Sequence, residues 1–181
     1  MTVPSMPFRM LTGPDRPMRA DCGIMAKPHP TAHPRDRGEL RILFPNSFLE
    51  VRDALRRALA NIGCYGLSQD ETGNIEIVLS EVLNNVVEHA YAALPCGLIE
   101  LRLLIGTDCV CCTVLDDGHP FPAAMLPLGD RADPPLIHTY PEGGYGWFLI
   151  KEIACDLEYC RLKDRNCLSF RIPVASQLRS N

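Results

Sequence analysis

Three short clusters in the 181-residue chain combine side-chain types and spacings that suit chemistry. The first is Glu81-x-x-x-Asn85-x-x-x-His89-Ala90-Tyr91, which sets a carboxylate, an amide and an imidazole one helical turn apart. At about 100° per residue, Glu81, Asn85 and Glu88 fall within about 60° of one another, on a side separate from the apolar residues. A carboxylate so placed can polarise an attacking hydroxyl or water, and an amide oxygen is a hard ligand suited to Mg²⁺. A solvated polar face has the same pattern. The second cluster, Asp116-Asp117-Gly118-His119-Pro120-Phe121, closes an apolar run, where Asp-Asp-Gly is also ordinary turn chemistry. The third, Glu142-Gly143-Gly144-Tyr145-Gly146-Trp147, leads glycines into an apolar helix. Unblocked backbone N–H groups at such a helix entry can take a phosphate, and a plain turn can use the same glycines.

The elements that must position these clusters follow from periodicity. Alternation of Leu40, Ile42 and Phe44 predicts a half-buried strand over 39–44. Ser47 with Glu50 reads as a capping box that opens an amphipathic helix to about residue 61, with Val51, Leu55, Ala58 and Leu59 inward and Gly63 and Gly66 stopping it. Ser68 with Glu71 is a second capping box. It starts the helix that carries the first cluster, whose apolar stripe is Ile75, Leu79, Val82, Val86 and Ala90. Strands over 98–105 and 109–115 flank a tight turn at Gly106-Thr107-Asp108. Residues 118–146 contain six prolines and five glycines and read as a long loop, of the kind that is usually functional and often a lid. A short helix over 145–155 and strands over 157–162 and 167–173 complete the chain. This order predicts an α/β two-layer sandwich, a mostly antiparallel (mixed) sheet of about five strands with three helices on one face.

Composition bounds the function classes. The first 38 residues hold seven of the 16 prolines and six Lys/Arg against three Asp/Glu, without apolar periodicity, and read as a disordered tail. A folded domain is expected over 39–175, followed by a short tail over 176–181. The 143 residues after the first tail carry 12 basic and 19 acidic side chains, so the basic footprint of a nucleic-acid binder is missing. No apolar run long enough for a membrane span exists, and Pro4, Pro7, Pro14 and Pro17 interrupt any signal-peptide core. A cytoplasmic location without membrane contact is expected. The nine cysteines, odd in number and scattered, read as reduced thiols. A metal or redox role for Cys109, Cys111 and Cys112 is the alternative, though no second pair at ligand spacing accompanies them.

In this order and at these separations, the three clusters resemble the motifs of the GHKL (histidine kinase-like) ATP-binding fold. The likeness is closest to its branch of anti-sigma factor serine/threonine kinases from bacterial partner-switching systems. Glu81-x-x-x-Asn85-x-x-x-His89-Ala90 looks like the N box, Asp116-x-Gly118 like the adenine-binding box and Gly143-Gly144-x-Gly146 like the glycine-rich lid box. The Walker-type loop and the protein-kinase loop are both absent. The resemblance implies ATP and Mg²⁺ as cofactors. It makes Glu81 the base that takes a proton from a serine or threonine hydroxyl, Asn85 the Mg²⁺ ligand and Asp116 the acceptor for the adenine amine. Gly118 would let the nucleotide approach, and Gly143, Gly144 and Gly146 would give backbone contacts to phosphates. His89 would line the site or pack its helix, and Arg52 would touch a protein partner or stand solvated. The activity implied is phosphorylation of an anti-sigma-factor antagonist by a kinase that otherwise holds a sigma factor, with a homodimer as the family's assembly. The alternative is a non-catalytic, ATP-binding or nucleotide-free module that sequesters a protein partner. Two positions depart from the pattern: Pro120 stands where related ATPases often have a second glycine, and Trp147 where a smaller aliphatic residue is usual.

Overall fold

Alternating apolar residues write the sheet. Ile42 and Phe44, then Ile99, Leu101, Leu103 and Ile105, then Val110, Cys112 and Val114, then Leu168, Phe170 and Ile172 are all buried, and their strand neighbours point the other way. The structure, a computed structural model, describes residues 38–92, 94–121 and 145–175. Its elements are β1 (Gly38–Pro45), α1 (Phe48–Ile62), α2 (Gln69–Asn85), β2 (Leu98–Ile105), β3 (Cys109–Asp116), α3 (Tyr145–Ile153), β4 (Cys155–Leu162) and β5 (Arg165–Pro173). The five strands lie in the order β1-β2-β3-β5-β4, and every pairing is antiparallel, so the allowance for a mixed sheet is not needed. Buried residues of the helices join the inward strand residues in one hydrophobic core. No helix among the described residues is long and apolar enough to cross a membrane.

The two helix starts differ from each other. Ser68 and Glu71 form the full capping box: Glu71 N–H donates to Ser68 Oγ at 3.2 Å and Ser68 N–H to Glu71 Oε2 at 2.6 Å. Glu71 Oε1 also accepts from Ala175 N–H at 2.5 Å, which ties the chain just beyond β5 to the start of α2. At Ser47 only one arm forms, Glu50 N–H to Oγ at 3.3 Å, because the Ser47 N–H already donates to Pro45 O at 2.9 Å. The buried stripe of α1 is also turned from the expected one. Val51, Ala54, Ala58 and Ile62 face the core, while Leu55 and Leu59 are half-buried. The small Ala54 and Ala58 let α1 seat closely, and the two leucines move to the wall of a groove against α2.

The other face of the sheet carries no helix among the described residues. There Glu100 is 1% exposed and is held by Arg41, Arg102 (2.6 Å) and Arg165 (3.2 Å) from three different strands. Burial pushes the Glu100 carboxyl up, but the guanidiniums of Arg102, Arg41 and Arg165 override it and hold it at about 2.

Candidate functional site

The end of β3 is built around one buried carboxylate. Asp116 is 2% exposed, and its Oδ1 accepts from Gly118 N–H at 3.0 Å and from Asn166 Nδ2 at 2.7 Å. Burial raises the Asp116 pKa, and these two donors offset only part of that. Both donors converge on Oδ1, which leaves Oδ2 with acceptor capacity. Asn166, opposite Asp116 on β5, is the residue that holds this corner together. Its amide also donates to His119 O at 2.9 Å, and its Oδ1 accepts from Tyr159 at 2.8 Å and Arg161 at 2.5 Å. Nothing in the sequence motifs marks Asn166. A signal existed only in the pairing register, which sets it across from the motif aspartate.

Gly118 meets the end of the helical segment. A Cβ there would lie 2.6 Å from Ala90 O, so no larger residue fits while His119 N–H donates to that same carbonyl at 2.8 Å. Tyr91 continues the joint through a 2.5 Å bond from its hydroxyl to Asp117 Oδ1. Burial, with Asp117 beside it, drives the Tyr91 hydroxyl well above its usual range.

Between Asn85 and Val86 the α-helix gives way to a π turn, Val86–Ala90. Such widened turns are frequent at functional sites. This one rotates the residues that follow it. Asn85 is buried, Glu81 half-buried and Glu88 exposed, so the three residues expected to face together differ in their access to solvent. His89 instead packs its ring against Phe121, edge-on at 6.2 Å between centroids. Asn85 Nδ2 is buried and has no hydrogen-bond partner among the described residues.

Gly146, in the first turn of α3, backs directly onto Glu81. A Cβ added at Gly146 would overlap the Glu81 carboxylate, so a larger residue there would have to push that carboxylate aside. One residue on, Trp147 packs edge-on against Phe121 at 6.1 Å, and Phe121 meets Tyr159 at the same distance. The Phe121–Trp147 contact is an aromatic clasp between the end of the β3 corner and the first turn of α3. Gly143 and Gly144 lie outside the described residues. Arg52 is exposed on α1 and lines a groove of about 600 Å³ with Phe48, Leu55, Arg56, Glu76 and Asn84, apart from the Asp116 corner.

The profile of the histidine kinase-like ATPase domain family matches residues 44–172. The chain belongs to this family. Among its relatives, the histidine kinase-like ATPase domain resembles Serine-protein kinase RsbW of Staphylococcus epidermidis, 34% identical over 119 residues, which covers 64% of this chain and 75% of the relative. Serine-protein kinase RsbW of Bacillus licheniformis is 28% identical over 102 residues, covering 55% of this chain and 64% of that protein. The crystal structure of the RsbU and RsbW domains of Rv1364c from Mycobacterium tuberculosis superposes with a TM-score of 0.51 at 14% identity, over 76% of this chain and 32% of that one. That likeness is one of fold, and the chain spans about a third of the mycobacterial chain. The five-stranded antiparallel sheet with three helices is therefore the histidine kinase-like ATPase architecture, which bears out the expected α/β sandwich.

Proposed function

We propose that this protein is an ATP-dependent serine/threonine protein kinase that phosphorylates an anti-sigma-factor antagonist and otherwise holds a sigma factor. The observation that carries the reading is the buried Asn85 amide nitrogen, without a partner among the described residues and set on one helix between Glu81 and the turn that meets the Asp116 corner. A buried donor without a partner costs about 1–3 kcal/mol, and a phosphate oxygen in front of it would satisfy it. The residues fit a magnesium ion as well. No cluster of three or more His, Cys, Asp or Glu side chains able to hold a metal occurs among the described residues, and magnesium bound with nucleotide typically takes one or two protein oxygens and completes its shell with phosphates and water. Asn85 would contribute the amide oxygen. Magnesium there would neutralise phosphate charge during transfer.

The roles of the other residues follow from their surroundings. Asp116 keeps an oxygen for the adenine amine while Asn166 and the Gly118 N–H fix its rotamer. Gly146, with Gly143 and Gly144, would offer backbone N–H groups to the phosphates at the start of α3. Glu81, half-buried and beside Gly146, would take the proton from the substrate hydroxyl at its carboxylate. His89 would flank the phosphates from its place against Phe121. Arg52, in its groove, would meet the protein partner away from the nucleotide. A homodimer in the cytoplasm and the absence of direct nucleic-acid contact complete the reading, the latter supported by the acidic balance of the domain.

The test is incubation with Mg²⁺-ATP and the cognate antagonist, read as phosphoserine or phosphothreonine on the antagonist. Glu81→Gln should bind ATP and transfer nothing. Undiminished transfer by that variant would refute the assigned base, and stable partner capture without transfer by the unmodified protein would favour the non-catalytic module.

A further inference from the structure

Cysteines are concentrated on the face of the sheet opposite the helices. Cys112 points into the core, whereas Cys109 and Cys111 alternate onto the outer face with their sulfurs 3.8 Å apart. Those two share a strand. Residues i and i+2 of a strand are about 6.6–6.8 Å apart at Cα, the far limit for a disulfide, and their Cβ vectors run parallel. The pair that meets bridging geometry is elsewhere: Cys160 on β4 stands directly opposite Cys167 on β5. Opposed residues of an antiparallel pair have Cα separations of about 4.5 or 5.5 Å, both inside the range that a disulfide spans.

The two sulfurs differ in access. Cys160 is exposed and Cys167 is buried. Burial, with the Cys160 sulfur beside it, holds the Cys167 thiol up to about 11, so it stays protonated at neutral pH while Cys160 meets solvent. Their flanking residues are those of the candidate site. Cys160 lies between Tyr159 and Arg161, and Cys167 follows Asn166, which bonds to Tyr159, Arg161 and Asp116.

We propose that Cys160 and Cys167 are a redox modification site, a cross-strand dithiol that a peroxide converts to an intrachain disulfide and that small thiols reduce again. The Cys160 thiolate attacks one peroxide oxygen, the O–O bond breaks, and Cys160 becomes a sulfenic acid as the other oxygen leaves as water. Cys167 sulfur then attacks the sulfenic sulfur, its proton leaves with the hydroxyl as a second water, and the S–S bond forms. Two thiols and one hydrogen peroxide give one disulfide and two waters. The bond needs no nucleotide, so it stands or fails separately from the kinase reading.

The experiment treats the full-length protein with hydrogen peroxide, alkylates the remaining thiols in denaturant, digests with trypsin without reduction, and maps the products by mass spectrometry. The expected result is an intact chain lighter by two hydrogens and a linked pair of peptides, 152–161 joined to 166–171, as the predominant disulfide. Dithiothreitol should separate them. Cys160→Ser or Cys167→Ser should abolish the linked pair, whereas Cys155→Ser, which changes the other cysteine of the first peptide, should retain it. A predominant bond to Cys109, Cys111 or Cys155, a bond between chains, or Cys160 recovered only as sulfinic or sulfonic acid beside an alkylated Cys167 would overturn the proposal.

Discussion

A buried amide nitrogen without a partner costs a fold about 1–3 kcal/mol, and among the described residues Asn85 Nδ2 is in that position, with the residue 7% exposed. Replacing it by a leucine of similar size removes the orphan donor. Asn85→Leu should therefore unfold at higher urea, with a gain of about 1 kcal/mol, and should show no heat on titration with Mg²⁺-ATP. A loss of stability in that variant would mean that the amide is paired in the folded protein. At this scale the sequence was informative where a motif fixed residue type and order together: Glu81, Asn85, Asp116, Gly118 and Gly146 all stand at the ends of elements that converge. Asn166 was not legible, because its part in the Asp116 corner depends on strand register across a gap of fifty residues. Arg161, which reaches both Asn166 and the Gly118 carbonyl at 3.0 Å, was invisible for the same reason.

Elements respond to charge as well as to packing. On the outer sheet face, Glu100 joins β1, β2 and β5 through three arginines. Its folded pKa, about 2, is below the ordinary carboxylate value of 4.5. A depressed carboxylate contributes stability that is fully present above the unfolded pKa and is lost as pH falls toward the folded one. Unfolding measured across that window should therefore show the protein losing on the order of 2 kcal/mol from this group, discounted for water around the half-exposed arginines. Glu100→Gln should flatten the decline and lower stability at neutral pH. Element types and order were readable because local signals and burial agreed, as in the full capping box at Ser68 and Glu71. Two local features were not. The π turn keeps Val86 and Ala90 four residues apart, so an apolar count cannot distinguish it from an α-helix, yet Glu88 within it is exposed while Asn85 just before it is buried. The stripe on α1 turned because helix–sheet distance favours alanines, a preference that hydrophobicity alone does not encode.

For the molecule as a whole, the described residues form one body in which the site joins helical and sheet layers at a single edge. Trp147, the only tryptophan, belongs to that joint through Phe121. Its emission should shift when ATP or ADP binds, and an unchanged spectrum at saturating nucleotide would separate α3 from the binding event. The acidic balance of the chain also gains a reading here. It accords with the proposed function, in which the protein would hold other proteins and leave contact with DNA to its partner.

The aromatic clasp has a consequence for chain entropy. Because Phe121 and Trp147 touch, the chain after β3 and the chain entering α3 stand close together, and the free energy of closing a flexible connection between two such points grows only with the logarithm of its length. Ten glycine and serine residues inserted midway between them should cost only a few tenths of a kcal/mol in unfolding free energy, as each doubling of such a segment costs about 0.6 kcal/mol. A connection between those two points can therefore change in length at little cost in closure entropy while the β3 corner stays as it is.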